Sequence, residues 1–103
     1  MKDFIHVRIK SDLNAEQMLD QFSSKLLGFK WRQGDSDMQG PYISGMNNDG
    51  VQVMMWHGEQ PNDLTVSFSG ATSSDTENRE LIDQLLHRLA PSLGEVVEVL
   101  GVD

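Results

Sequence analysis

The chain has 103 residues, a net charge of −8 and no cysteine. That length makes one domain with one core. The missing cysteines exclude disulfides, thiolate catalysis and cysteine metal sites, and they fit a reducing, cytoplasmic setting.

Further function classes drop out on composition. No apolar run approaches the ~18 residues of a membrane span, and the mixed opening Met1-Lys2-Asp3-Phe4-Ile5-His6 is no secretory leader, so no membrane partner is expected. The charge is unevenly placed. Residues 1–32 hold six Lys/Arg and four acids, whereas residues 33–103 hold two Lys/Arg and twelve acids. An acidic excess of this size argues against a nucleic-acid partner, whose phosphates require a basic surface. It suits both simple solubility and steering towards a basic protein.

In chain order, Phe4 to Lys10 alternate, with Ile5, Val7 and Ile9 on one face and His6, Arg8 and Lys10 on the other. This predicts a half-buried strand. Asn14 and Gln17 have the spacing of a capping box, and Ala15, Met18, Leu19, Phe22 and Leu26 form a helical stripe that Gly28 closes, predicting a helix over 15–27. Phe29 to Gln33 alternate again. Residues 34–41 read as an acidic loop.

Tyr42–Met46, Val51–His57 and Leu64–Ser69 read as three strands of an antiparallel meander. The first two are joined by Asn47-Asn48-Asp49-Gly50, whose residues tolerate the positive φ of a tight hairpin turn. Ser74 with Glu77 offers a second capping box, followed by the apolar stripe Leu81, Ile82, Leu85, Leu86, Leu89 and an expected stop at Pro91. Glu95 to Val102, rich in valine, predicts a last strand.

The order β-α-β-β-β-β-α-β implies a two-layer α+β sandwich, a mostly antiparallel sheet with both helices on one face. Strands joined through a helix are expected to run parallel, through right-handed crossovers. The arrangement is similar to a ferredoxin-like fold with extra strands in its middle connection, a likeness of topology that carries no function.

Chemical motifs are sparse. Asp35-Ser36-Asp37-Met38-Gln39-Gly40 opens like a calcium loop, but the twelfth position falls on Met46, which cannot ligate calcium, so the segment reads as a solvated acidic loop. His6, His57 and His87 have no zinc spacing. No nucleophile elbow and no phosphate loop is present, and no cofactor is expected. A catalytic acid–base pair would have to assemble from His57 with Asp63 or Glu59.

The strand Val51–His57 is apolar on both faces. If Val51, Val53 and Met55 face the helices, Met54 and Trp56 face outwards. They then form either a contact site or a cluster packed under a neighbouring loop. The leading expectation is a small acidic, non-enzymatic interaction module, an inhibitor or immunity-type binder of a basic protein. Its candidate contacts are Met54 and Trp56 with the acids Asp35, Asp37, Asp49, Glu59 and Asp63. The alternative is a small-ligand- or anion-binding regulatory domain in which Arg8, Lys10, Lys30 and Arg32 hold the ligand on the open sheet face. A homodimer through a sheet edge fits either, with the strand left open.

Overall fold

Alternation in the first strand places Ile5, Val7 and Ile9 in a core where each is at most 1 % exposed. The computed structural model describes residues 4–38 and 40–101. Its elements are β1 (Phe4–Lys10), α1 (Ala15–Lys25), β2 (Lys30–Ser36), β3 (Gly40–Met46), β4 (Gln52–Trp56), β5 (Asn62–Ser67), α2 (Asp75–Gln84), a π-helical turn (Leu85–Leu89), α3 (Ala90–Leu93) and β6 (Glu95–Leu100).

The six strands form one sheet in the order β2-β3-β4-β5-β1-β6. Every neighbouring pair is antiparallel. Strands joined through a helix do run in the same direction, as expected, but none are neighbours. β1 lies between β5 and β6, and β3, β4 and β5 separate β1 from β2. The result is the expected α+β sandwich of ferredoxin-like order, with the extra strands inserted as a meander.

One core joins the layers. Ile5, Val7, Ile9, Ile43, Val53, Met55, Leu64 and Val66 on the sheet meet Met18, Phe22, Leu85, Leu89 and Leu93 from the helices. Trp31 stacks on Phe29 and tilts against Phe22, with ring centroids 5.5 and 5.0 Å apart. Its indole lies over Gly45, where a Cβ would collide with the ring. That glycine is therefore a packing requirement of the β2–β3 pair.

Both capping boxes form. Asn14 accepts from the Gln17 amide at 2.8 Å while Gln17 accepts from the Asn14 amide at 3.0 Å. Ser74 and Glu77 repeat the arrangement at 3.2 and 3.4 Å. In the turn Asn47–Gly50 only Gly50 takes a positive φ, +87°, and Asn47 Oδ1 accepts from the amides of Asp49 and Val51. The turn is thus closed by an asparagine side chain and one left-handed glycine, not by a run of positive-φ residues.

Most boundaries shift by a residue or two, with α1 ending at Lys25 and β5 spanning Asn62–Ser67, and two differ in kind. The expected loop over 34–41 is largely strand: β2 continues to Ser36 and β3 begins at Gly40, with Asp35 opposite Pro41 and Ser36 opposite Gly40. Gly34, Gly40 and Pro41 take their places in the β2–β3 ladder, and Asp37 and Met38 lie in the turn at its tip. Pro91 does not end the second helix, because the chain continues to Leu93 through the π turn. There the Ala90 amide bonds five residues back, to Leu85. The wider turn relieves the clash that a proline ring makes with the carbonyl four residues earlier in a regular α-helix. Val102, the last residue of the predicted sixth strand, lies outside the described residues.

Candidate functional site

The helices cover one face of the sheet and leave the other open. Met55 is fully buried against the helices, while its neighbours Met54 and Trp56 are half-buried on the open face. Register organises that face into rows. Tyr42, Trp56, Asp63, Arg8 and Glu98 form one cross-strand row; Ser44, Met54, Thr65, His6 and Leu100 form the next.

Within the first row Tyr42 packs on Trp56 with centroids 5.0 Å apart and planes tilted by 56°. The tyrosine ring in turn lies over Gly34, where a Cβ would collide with it. Trp56 forms a wall between two hollows. The larger, about 310 Å³, is bounded by Trp56, Glu59, Pro61, Asp63, Arg8 and Met38. The shallower, about 210 Å³, lies over Met54, Gln52, Thr65 and Ser67. Ligand pockets usually enclose ~300–1,000 Å³, so the larger notch is at the small end of that range and has room for one side chain.

Asp63 anchors the notch electrostatically. Its Oδ1 accepts from His6 Nε2 at 3.1 Å and lies 3.4 Å from Arg8 Nε, while Arg8 Nη1 lies 3.8 Å from Glu98. The carboxylate partners are therefore His6 and Arg8, supplied by β1; His57 is not the histidine that meets Asp63. The β1 alternation already set His6 on the open face, but the pairing also required β1 to lie beside β5. His57 follows Trp56 at the end of β4, with its amide bonded to the Pro41 carbonyl. Its pKa is lowered from 6.5, mainly by desolvation, against smaller opposing pulls from its backbone hydrogen bond and then from Asp35.

The loop that bounds the notch is fixed to the body of the protein. Gln60 donates from Nε2 to the Ser11 carbonyl at 2.8 Å and accepts the Ser11 amide on Oε1 at 3.1 Å. One side-chain amide thereby imitates a strand neighbour and holds the β4–β5 loop against the β1–α1 connection.

The candidate acids do not gather at one place. Glu59 and Asp63 border the notch, and exposed Asp35 and Asp37 sit at the β2–β3 tip, at the same end of the sheet. Asp49 lies at the opposite end, where its carbonyl accepts the Thr72 amide at 2.8 Å. The four cations are likewise dispersed. Arg8 and Lys10 lie on β1, and Lys30 and Arg32 on β2, four places away in the sheet. At a strand spacing of ~4.8 Å that separates the pairs by roughly 19 Å, too far to hold one small anion together. No helix among the described residues is long and apolar enough to cross a membrane.

No protein-family model matches the chain, and no curated protein matches it in sequence. What the fold and the site define is a class by architecture: an α+β sandwich with an uncovered, aromatic-bearing sheet face.

Proposed function

We propose that the protein is a non-enzymatic interaction module that docks a basic protein partner on its open sheet face, with one cationic side chain of the partner entering the notch beside Trp56. The observation that carries this reading is the position of Trp56. It is half-buried and braced by Tyr42 at 5.0 Å, with exposed Glu59 on the rim of the space beside it and the Asp63 carboxylate, already engaged by His6 and Arg8, on the far side. An indole face attracts a lysine or arginine head by ~0.5–2 kcal/mol. Exposed Glu59 adds a charge-assisted hydrogen bond. Bracing lowers the entropy lost when the aromatic is used as an anchor. The chain's net charge of −8 steers such a partner at long range. Occlusion of the partner's basic surface would make the module an inhibitor.

Titration with a short arginine-rich peptide, followed by isothermal calorimetry in every variant and by backbone amide and Trp56 indole resonances in the wild type, tests the proposal. Binding that weakens with salt, is lost in Trp56→Ala and is reduced in Glu59→Gln supports it. An equal response to a glutamine-substituted peptide, or a response confined to the helical face, overturns it.

A further inference from the structure

We infer that β6 is a self-pairing edge, and that two copies of the chain join antiparallel through it into one continuous sheet. This stands independently of the function proposed above. The sheet has two terminal strands, β2 and β6, and they are unlike. β2 carries Lys30, Arg32 and Asp35, all exposed, the type of charged edge that discourages pairing. β6 also carries exposed Glu95 and Glu98, but unlike β2 it exposes three large apolar residues, Val97, Val99 and Leu100, by 42, 39 and 48 %, and Phe4 beside it is 52 % exposed. Apolar residues concentrated on a terminal strand mark a surface that another strand covers.

The occupant follows from the pattern of faces along β6. Glu95, Glu98 and Leu100 pair with Lys10, Arg8 and His6, so they lie on the open side; Val96 and Val99 pair with Ile9 and Val7, so they lie on the helix side. The register shifts between Arg8 and Ile9, which leaves Val97 as the additional residue of a β-bulge next to Glu98 and on the same side. Read from 95 to 100 the sides are open, helix, open, open, helix, open, a sequence that is the same in reverse. A strictly alternating strand of six residues lacks that property, because an antiparallel copy centred on it would oppose residues of unlike side. The bulge removes the mismatch.

A two-fold axis between Val97 and Glu98 therefore opposes like with like. Val96 meets Val99 of the second copy, and Val99 meets its Val96, two apolar pairs on the helix side. On the open side Glu95 meets Leu100 and Val97 meets Glu98, so no glutamate lies directly opposite a glutamate. Each Glu98 also retains its own Arg8, 3.8 Å away. Since the axis is perpendicular to the sheet, both open faces point to the same side and the two Trp56 notches become parts of one surface.

The cysteine-free chain allows a direct test of register. Sedimentation equilibrium of the wild type is expected to give a concentration-dependent dimer, and Val99→Asp, at an exposed position, to weaken it about tenfold or more while retaining the far-UV circular dichroism of the fold. Val96→Cys and Val99→Cys are expected to form a disulfide dimer on oxidation when mixed, and far less when each is oxidised alone, because residue 96 opposes residue 99 and not itself. A wild type that remains monomeric at about 0.5 mM overturns the inference, and so does cross-linking of the single variants as fast as of the mixture.

Discussion

Tyr42 and Trp56 face each other across β3 and β4 on the open side of the sheet, with ring centroids 5.0 Å apart. Neither ring is part of the core that joins sheet to helices. Their contact is therefore a feature of the outer surface that can be measured separately from the core. A double-mutant cycle of Tyr42→Ala and Trp56→Ala, followed by urea unfolding, is expected to give a coupling of ~0.5–1.5 kcal/mol. Strictly additive losses would mean that the rings only adjoin.

Gln60 holds the loop beside the notch through two hydrogen bonds to the Ser11 backbone. Gln60→Ala removes both and is expected to cost about 1–2 kcal/mol in urea. Gln60→Glu is expected to cost at least as much, since a carboxylate has no N–H for the Ser11 carbonyl and repels it. A loss in Gln60→Ala within the ~0.5 kcal/mol typical of neutral surface changes would show that the loop holds its place without this contact.

Ser74 caps the second helix by accepting the Glu77 amide at 3.2 Å. Ser74→Ala is expected to lower stability by about 1 kcal/mol, whereas Ser74→Asp, which keeps an acceptor and adds a favourable charge at the helix N-terminus, should stay close to the wild type. Equal losses in the two variants would assign the role to the hydroxyl itself rather than to capping.

His57 gives the protein a pH dependence with a defined sign. Its folded pKa lies below 6.5, chiefly because burial disfavours the imidazolium. In the window between the folded value and 6.5 the unfolded chain binds more protons, so stability rises with pH there. The contribution is fully present above 6.5 and is lost as pH falls through the folded pKa. Thermal midpoints between about pH 5 and pH 8 should fall less steeply on acidification in His57→Gln than in the wild type. An NMR titration placing the His57 midpoint at or above the usual ~6.5 would contradict the burial argument.

The core faces were legible in the sequence because they depend only on period. Alternation assigned Ile5, Val7 and Ile9 to one side and His6 and Arg8 to the other. It also placed Met55 against the helices with Met54 and Trp56 opposite, as the structure has them. Both capping boxes were legible for the same reason, since each is complete within four residues. The helix expected to stop at Pro91 shows the limit of such rules. A local signal predicts a break only while the backbone keeps regular α geometry, and the π turn supplies another geometry.

The relationships around Trp56 required the tertiary structure. Asp63 meets His6, 57 positions away in sequence, because β1 inserts beside β5. Tyr42 reaches Trp56 because β3 and β4 pair in one particular register. Gln60 finds Ser11, 49 positions away, because the crossover brings two loops together at one end of the sheet. Cα partners on neighbouring strands are set by long-range pairing, whose energy comes from the whole buried face and not from any short window of residues. By itself the sequence therefore determined most of the elements, the two helix caps and which side of each element is apolar. Only the tertiary structure decided which side chains share a row on the open face, and hence that Trp56 stands between Tyr42 and a notch bounded by Glu59, Asp63 and Arg8.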